Sequence, residues 1–205
     1  MKAGSAISRK LLVATNNAGK FNEYGVLLKG IPFEIFSLTD VGIDADVEET
    51  GNTFEQNAAA KATTYCAMSG LLTLADDSGL EVDALGGEPG VMSARYAGPR
   101  ASDEDRVNYL LSKMAGVPWE KRTARFVCVI AVATPHREVK LCSGICDGYI
   151  AFKAKGTNGF GYDPVFYFPE LDRTMAELTP QQKNGVSHRG RAAQEARKLL
   201  RYISP

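Results

Sequence analysis

A turn-rich hexapeptide near the start of the chain has the residue types of an anion site. Its sequence is Thr15-Asn16-Asn17-Ala18-Gly19-Lys20, and it joins a short apolar run to a segment with helical spacing. A helix N-terminus presents unpaired N–H groups and the positive end of the helix dipole, and Lys20 adds a full positive charge, so this turn suits a phosphate. It is not a Walker A loop, because Ala14 and Phe21 replace the first glycine and the magnesium-binding hydroxyl residue. The alternative is a plain strand–helix turn in which Asn and Gly provide backbone freedom.

Acidic residues form a second candidate site from two adjacent pairs. The pair Glu48-Glu49 lies in an acidic loop, and Asp76-Asp77 follows an apolar strand that the sequence predicts over residues 71–75. Consecutive side chains at a strand end point to opposite faces, so only one of the two aspartates can face a given ligand. Carboxylates without His or Cys suit Mg²⁺, and one carboxylate can also accept a proton from an attacking water. The alternative is that Asp76-Asp77-Ser78-Gly79 caps a turn and that the two glutamates are solvated.

Two later segments carry groups that can bind a base, a sugar or a phosphate. The glycine-rich segment 156–164 contains Phe160-Gly161-Tyr162-Asp163, whose glycine lets the backbone approach a flat ligand and whose rings can stack on a base. Lys183 and the His188-Arg189 pair offer N–H donors for phosphate or for carbonyl oxygens on a ring. The alternatives are a tight bend with its aromatic rings in the core, and a structural hydrogen-bonding role for His188.

The elements that must position these residues alternate early in the chain and then become mostly strands. The hydrophobic pattern predicts strands over 11–14, 32–36, 71–75, 125–133, 138–145, 148–152 and 165–168, and helices over 21–29, 52–69, 103–114 and 190–202. Asn52 followed by Glu55, and Ser102 followed by Asp105, are capping signatures for the second and third helices. This order indicates an α/β fold with a mixed sheet.

The composition is that of a folded globular protein. The chain has 205 residues, 44% hydrophobic and 23% charged, which suits a single domain with a proper core. Its 24 basic and 24 acidic residues cancel, which argues against a nucleic-acid binder or a membrane-surface protein. The apolar runs are too short to span a bilayer and the N-terminus does not fit a signal peptide, so we expect a soluble cytoplasmic protein.

The cysteines predict thiols rather than a metal site. Cys66, Cys128, Cys142 and Cys146 contain no CxxC pair, and the two histidines are far apart in sequence, which argues against zinc. We expect buried or partly buried free thiols in a reducing compartment.

Taken in order, the motifs resemble the inosine/xanthosine triphosphate pyrophosphatase family, whose members are noncanonical purine NTP pyrophosphatases acting on dITP and XTP. The resemblance extends from about residue 10 to residue 200. It is carried by residues 14–20, Glu48-Glu49-Thr50-Gly51, Phe54 with Asn57-Ala58 and Lys61-Ala62, Ala75-Asp76-Asp77-Ser78-Gly79-Leu80, Pro89-Gly90, Ser93-Ala94-Arg95-Tyr96, Gly159-Phe160-Gly161-Tyr162-Asp163-Pro164 and Ser187-His188-Arg189-Gly190. The departures are Met92, the segment Lys153-Ala154-Lys155-Gly156 and a loose N-terminal extension expected over residues 1–9.

The resemblance implies hydrolysis of ITP, dITP and XTP to the monophosphate and pyrophosphate with Mg²⁺. It implies an elongated mixed β-sheet flanked by helices, with two lobes and an active-site cleft between them, and usually a homodimer. By position, Asp77 is the proton acceptor and a metal ligand, and Glu48 is the second metal ligand. The substrate-binding residues would be Thr15, Asn16, Asn17, Ala18, Gly19, Lys20, Lys61 and Lys183 for phosphates or sugar, and Ser78, Phe160, Gly161, Tyr162, Asp163, His188 and Arg189 for the nucleotide and its base. The alternatives are a hydrolase of other modified nucleoside triphosphates and a non-catalytic nucleotide sensor.

Overall fold

A seven-stranded mixed sheet forms the centre of the computed structural model, which describes residues 9–203. Its order is β2-β1-β3-β4-β5-β6-β7. The strands are β1 (Arg9–Val13), β2 (Phe33–Phe36), β3 (Leu72–Val82), β4 (Thr123–Ala133), β5 (Val139–Ile150), β6 (Phe166–Phe168) and β7 (Arg173–Thr174). β1 is parallel to β2 and β3, and all other neighbours are antiparallel. The predicted α/β fold with a mixed sheet is confirmed.

Five α-helices flank this sheet, and each begins at a side-chain cap. They are α1 (Ala18–Leu27), α2 (Phe54–Ser69), α3 (Asp103–Lys113), α4 (Pro180–Val186) and α5 (His188–Tyr202). The capping box predicted for α3 is confirmed, since Ser102 and Asp105 satisfy each other's backbone N–H groups. The cap predicted for α2 at Asn52 is wrong by one residue, because the Thr53 side chain accepts the Gln56 N–H.

Two other helix starts differ from the prediction for the same reason. α1 begins at Ala18 rather than at residue 21, because the Asn17 side chain accepts the N–H of Lys20 at 2.9 Å. α5 begins at His188 rather than at about residue 190, because Ser187 is its cap. The short helix α4, which the sequence did not predict, is capped by Thr179 with a proline at its first position. As a result, the second half of the predicted anion turn, Ala18 to Lys20, and the His188-Arg189 pair lie in first helical turns.

The strand predicted to end at residue 75 continues to Val82. Asp76 and Asp77 therefore lie in the middle of β3, opposite Ile130 and Val129 of β4, so the predicted strand end is wrong, and so is the alternative of a turn cap. Their side chains alternate between the two faces of the sheet, and each face supplies a polar partner described below. The two strands predicted over 138–145 and 148–152 are likewise one strand, β5.

Three apolar clusters divide the structure into two lobes. At one end of the sheet, α1 and α5 pack on one face with Leu74 and Ile130, and α2 packs on the other face with Ala75 and Val129. At the other end, α3 packs with residues of β3, β4 and β6, including Leu80. The segment of β3 between Ala75 and Leu80 crosses from one lobe to the other, and this segment carries the aspartates.

The remaining predictions about the chain as a whole concern its first residues, its cysteines and membrane spans. Residues 1–8 lie outside the described part of the chain, but Arg9 belongs to β1 and not to an extension. All four cysteines are free, three of them buried and Cys142 half-buried, as predicted. Among the described residues, none of the helices is both long and apolar enough to cross a membrane.

Candidate active site

A cavity of about 450 Å³ opens beside the middle of β3, between the two lobes. This volume is in the range of small-molecule sites in proteins. Its lining includes every residue that the sequence analysis selected except Ala18 and Gly19. The structure therefore brings together predicted side chains from six separate parts of the chain, from Thr15 to Arg189.

The first turn of α1 forms one wall of the cavity. The Thr15 hydroxyl accepts the N–H of Asn17 at 3.2 Å, and the Asn16 amide donates to Asp46 at 3.1 Å, so the turn is fixed on both sides. Gly19 lies close to the ring of Phe160. A side chain at this position would not fit without movement of that ring, since its Cβ would lie 2.8 Å from it. Ala18 and Gly19 thus contribute to the site through the backbone of a helix N-terminus, whose N–H groups favour an anion.

Asp76 is the buried counter-charge of this wall. Its carboxylate lies 3.0 Å from Lys20 Nζ and 3.6 Å from an Arg189 nitrogen, and only 2% of the residue is exposed. Burial alone would raise the pKa of Asp76, but the charges of Lys20, Arg189 and Lys61 outweigh it and hold the pKa well below its usual range. Asp76 is thus a permanent anion that fixes two of the predicted substrate-binding cations.

Asp77 faces the opposite side of the sheet, toward α2. The Asn57 amide donates to its Oδ2 at 2.9 Å, and Lys61 Nζ lies 4.0 Å from its Oδ1. Burial raises the pKa of Asp77, and Lys61 and the Asn57 hydrogen bond offset only part of this rise. A carboxylate of raised pKa is a better proton acceptor than an exposed aspartate. This property suits the role predicted for Asp77 in activating a water.

A second ion-pair group lies beside Asp77. Lys61 Nζ contacts Glu49 Oε1 at 2.5 Å, and Arg95 Nη1 lies 3.6 Å from the other oxygen of the same glutamate. Burial lowers the pKa of Lys61, but Asp76, Asp77 and Glu49 outweigh it, so the pKa is raised and the lysine is a cation. Glu48 is exposed and also lines the cavity.

The donors of this cavity fit a magnesium ion that is shared with a substrate. Among residues 9–203, no group of three or more His, Cys, Asp or Glu side chains is placed to hold a metal on its own. Mg²⁺ commonly takes only one or two protein carboxylates and completes its shell with waters and substrate phosphates. Glu48 and Asp77 are two oxygen donors of this kind on one cavity, so the residues fit.

The other end of the cavity is a network around Lys183 and Arg189. Lys183 Nζ contacts Asp163 at 2.5 Å and Glu23 at 2.8 Å, while Arg189 donates to Glu23 at 2.7 Å and to the Ser78 hydroxyl at 2.8 Å. Burial raises the pKa of Glu23, but Arg189 and Lys183 outweigh it and leave the pKa lowered. Glu23 is therefore an anion at neutral pH.

Phe160 lies against this network. Lys183 and Arg189 lie 4.7 Å and 5.5 Å from the centre of its ring. Its loop is tied down by three hydrogen bonds: Phe160 N donates to Asp163, Gly161 N donates to Asp103, and the Tyr162 hydroxyl donates to the Ser93 carbonyl. A ring held in this way can stack on a flat ligand.

His188 is a neutral ring at the base of the cavity. It is 5% exposed and stacks on Phe126, with 4.7 Å between the ring centres. Burial, together with the charges of Arg189 and Lys183, lowers the pKa of His188 well below its ordinary value. Its Nδ1 is buried and has no hydrogen-bond partner among the described residues. An unpaired buried nitrogen is costly, so this atom is a candidate ligand contact.

Comparison with known proteins identifies the family. The sequence profile of the Ham1 family matches residues 11–199. The chain belongs to the Ham1 family. The dITP/XTP pyrophosphatase of Desulforamulus reducens is 49% identical to it over 194 residues, 95% of this chain and 96% of that protein. A solved HAM1 protein from Coxiella burnetii has a TM-score of 0.87 at 40% identity, covering 95% of this chain and all of that one. The Staphylococcus aureus Ham1 protein has a TM-score of 0.83 at 44% identity, covering 93% of this chain and 98% of that one.

The Ham1 family confirms the resemblance read from the sequence motifs. The roles of individual side chains remain predictions, and the structure adds partners that the sequence analysis did not select as site residues. They are Glu23, Asn57, Asp76, Arg95 and Asp103, each of which contacts a predicted site residue or its loop. The motifs quoted for the resemblance include three of these partners, Asn57, Asp76 and Arg95. These motifs were the sequence signal by which the three could have been selected. Glu23 and Asp103 carry no such signal, because only the fold brings them to the site.

Proposed function

We propose that this chain hydrolyses noncanonical purine nucleoside triphosphates, namely dITP, ITP and XTP, to the monophosphate and pyrophosphate, and so cleanses the nucleotide pool. One observation carries the proposal: a buried carboxylate of raised pKa, Asp77, lies on a cavity with Lys20, Lys61 and Lys183. Membership of the Ham1 family, and the dITP/XTP pyrophosphatase named among its relatives, support the substrate class.

The reaction requires a water to approach a strongly anionic substrate. A triphosphate carries about four negative charges at neutral pH, and these charges repel an attacking hydroxide. Asp77 accepts a proton from the water, while Lys20, Lys61 and the first turn of α1 offset the charge on the leaving pyrophosphate. Because Asn57 and Lys61 hold Asp77 in place, its carboxylate needs no rearrangement before it accepts the proton.

Magnesium is part of the proposal. Glu48 and Asp77 are the residues that would hold Mg²⁺, which when bound neutralises phosphate charge and makes the phosphorus more electrophilic. The lysines supply part of the same neutralisation from the protein side.

Selection of the base follows from the donors at the other end of the cavity. Hypoxanthine and xanthine carry a carbonyl oxygen at position 6, where adenine carries an amino group. A donor from His188, Arg189 or the backbone pairs with the carbonyl but opposes the amino group, and an opposed buried pair is costly. Phe160 supplies a stacking surface for the same base.

The proposal also includes a homodimer formed through the region between Gly86 and Tyr96. Met92 is 44% exposed there, and Tyr109 packs edge-on against Tyr96 with 5.0 Å between the ring centres. A sizing column tests this part, since elution as a monomer would contradict it.

Product analysis tests the activity. Incubation with dITP or XTP and Mg²⁺, resolved by anion exchange, is expected to give monophosphate and pyrophosphate. Asp77→Asn should lower kcat by about 10²–10⁴-fold with the fold preserved, because the amide cannot take the proton. Glu55→Gln, an exposed change of the same kind in the first turn of α2, is the control. Release of the nucleoside diphosphate with orthophosphate, or near-normal turnover by Asp77→Asn, would contradict the proposal.

A further inference from the structure

The cations of the cavity are already paired with carboxylates of the chain. Lys20 pairs with Asp76, Lys183 pairs with Asp163, and Lys61 pairs with Glu49. A polyphosphate that binds here must compete with these carboxylates for the same N–H groups. Binding therefore depends on which of these carboxylates can move away from its lysine.

Two of the three carboxylates are fixed by the fold. Asp76 lies within β3, and its side chain is only 1% exposed. Asp163 is held by the backbone N–H of Phe160 as well as by Lys183. Both side chains are buried, so neither carboxylate can rotate into solvent, and rotation of Asp163 would also break its hydrogen bond to the Phe160 N–H.

Glu49 differs from both. It lies in the segment 43–51, which has no helix or strand, and its side chain is 23% exposed. Its carboxylate can leave Lys61 by rotation of the side chain, without loss of a main-chain hydrogen bond of the sheet. Glu49 is thus the exchangeable anion among these three.

The position of the Glu49 carboxylate is that of a bound oxyanion. Oε1 lies 2.5 Å from Lys61 Nζ of α2, and Oε2 lies 3.6 Å from Arg95 Nη1 in the segment Gly90–Arg95. Both cations line the cavity, as does Asp77. Arg95 also donates through Nη2 to the main-chain carbonyl of Glu49 at 3.1 Å. This second bond can hold the loop in place when the carboxylate leaves.

We propose that Glu49 occupies a phosphate subsite in the ligand-free chain, and that an incoming polyphosphate displaces its carboxylate and binds Lys61 and Arg95. The proposal rests on the proposed function, and it adds two roles. Arg95 becomes a phosphate ligand contributed by a segment other than that of Lys61, since its guanidinium can form paired hydrogen bonds to phosphate oxygens. Glu49 becomes a competing anion that weakens binding of every polyphosphate by an equal factor, whatever its base.

Binding of inorganic tripolyphosphate in EDTA, followed by calorimetry, tests this directly. The probe has no base, and without metal it is not hydrolysed through Asp77, so the result is independent of the product analysis above. Glu49→Gln should bind the probe about fivefold more tightly, because it removes the competing charge but keeps the side-chain length. Arg95→Ala should bind it at least about tenfold more weakly, because a charge-assisted hydrogen bond is lost.

Two matched controls separate these effects from net charge. Glu55→Gln and Arg100→Ala make the same charge changes at exposed positions near each site, and both should bind like the wild type. Arg95→Ala should also weaken binding in the Glu49→Gln background, which distinguishes a phosphate ligand from a residue that only holds Glu49. The proposal is overturned if Glu49→Gln binds no more tightly, if Arg95→Ala has no effect in either background, or if the wild type does not bind the probe.

Discussion

Replacing Asp76 with Asn is expected to destabilise the fold and disorder both ends of the cavity. The same buried oxygen of the carboxylate lies 3.0 Å from Lys20 of α1 and 3.6 Å from Arg189 of α5. Asn keeps the shape and one acceptor oxygen but removes the negative charge. Arg189 is 2% exposed and would keep Glu23 as its only charged partner, while Lys20 can turn toward the cavity.

The magnitude follows from the burial of the pair. Removing one partner of a buried ion pair costs about 3–5 kcal/mol, because the other charge stays buried. The remaining Glu23 contact and the freedom of Lys20 favour the lower end, about 3 kcal/mol. For a chain of this size, that loss corresponds to a fall of about 6–12 °C in Tm.

Urea denaturation at pH 7 measures this loss in the free energy of unfolding, and thermal melting is a second measurement. Glu195→Gln is the matched control, because its pair with Lys198 is exposed and should contribute less than about 1 kcal/mol. The double variant Lys20→Met with Asp76→Asn should lose less than the sum of the two single variants, since both partners are then removed. A loss below about 1 kcal/mol for Asp76→Asn would refute the assignment of Asp76 as the central counter-charge.

Two further predictions have internal controls. Gly19→Ala places a Cβ 2.8 Å from the Phe160 ring, so the ring must move and KM for dITP should rise several-fold. The control is Gly25→Ala, whose Cβ would have no atom within 4 Å and which should leave KM unchanged. An unchanged KM in the first variant would show that Phe160 does not bind substrate. Burial keeps the pKa of His188 below its ordinary value. As the pH falls below about 6.5, the His188 imidazole therefore takes up a proton in the unfolded chain but not in the folded one. The free energy of unfolding should fall as pH decreases from 6.5 to 5.5, by up to about 1.4 kcal/mol, in urea titrations. His136→Gln should keep this dependence and His188→Gln should lose it.

Local signals in the sequence were enough to predict most elements, and the motifs named residues that line one cavity. The cap of α3 depends only on Ser102 and Asp105, which are three residues apart, and this cap is as predicted. The positions of the site residues followed from motifs in a fixed order, and the fold brings nearly all of them to one cavity.

The errors arose where tertiary partners decide local structure. Asp76 and Asp77 have the composition of a turn, yet they lie in a strand in which Lys20 pairs with Asp76 on one face and Asn57 donates to Asp77 on the other. Such partners are distant in sequence, so no local pattern predicts them. Glu23 is another example, since its contacts to Lys183 and Arg189 join α1 to α4 and α5.

The length of the central strands determines how the two lobes unfold. β3 and β4 pair from Thr73 to Val82, and β4 and β5 pair from Thr123 to Ala133, so both lobes share one continuous ladder of main-chain hydrogen bonds. Amide protons near Asp77 should then exchange with solvent only in global unfolding, as those of one cooperative unit do. A destabilising substitution in either lobe therefore lowers the population of intact sites by the same factor, however far from the cavity it lies.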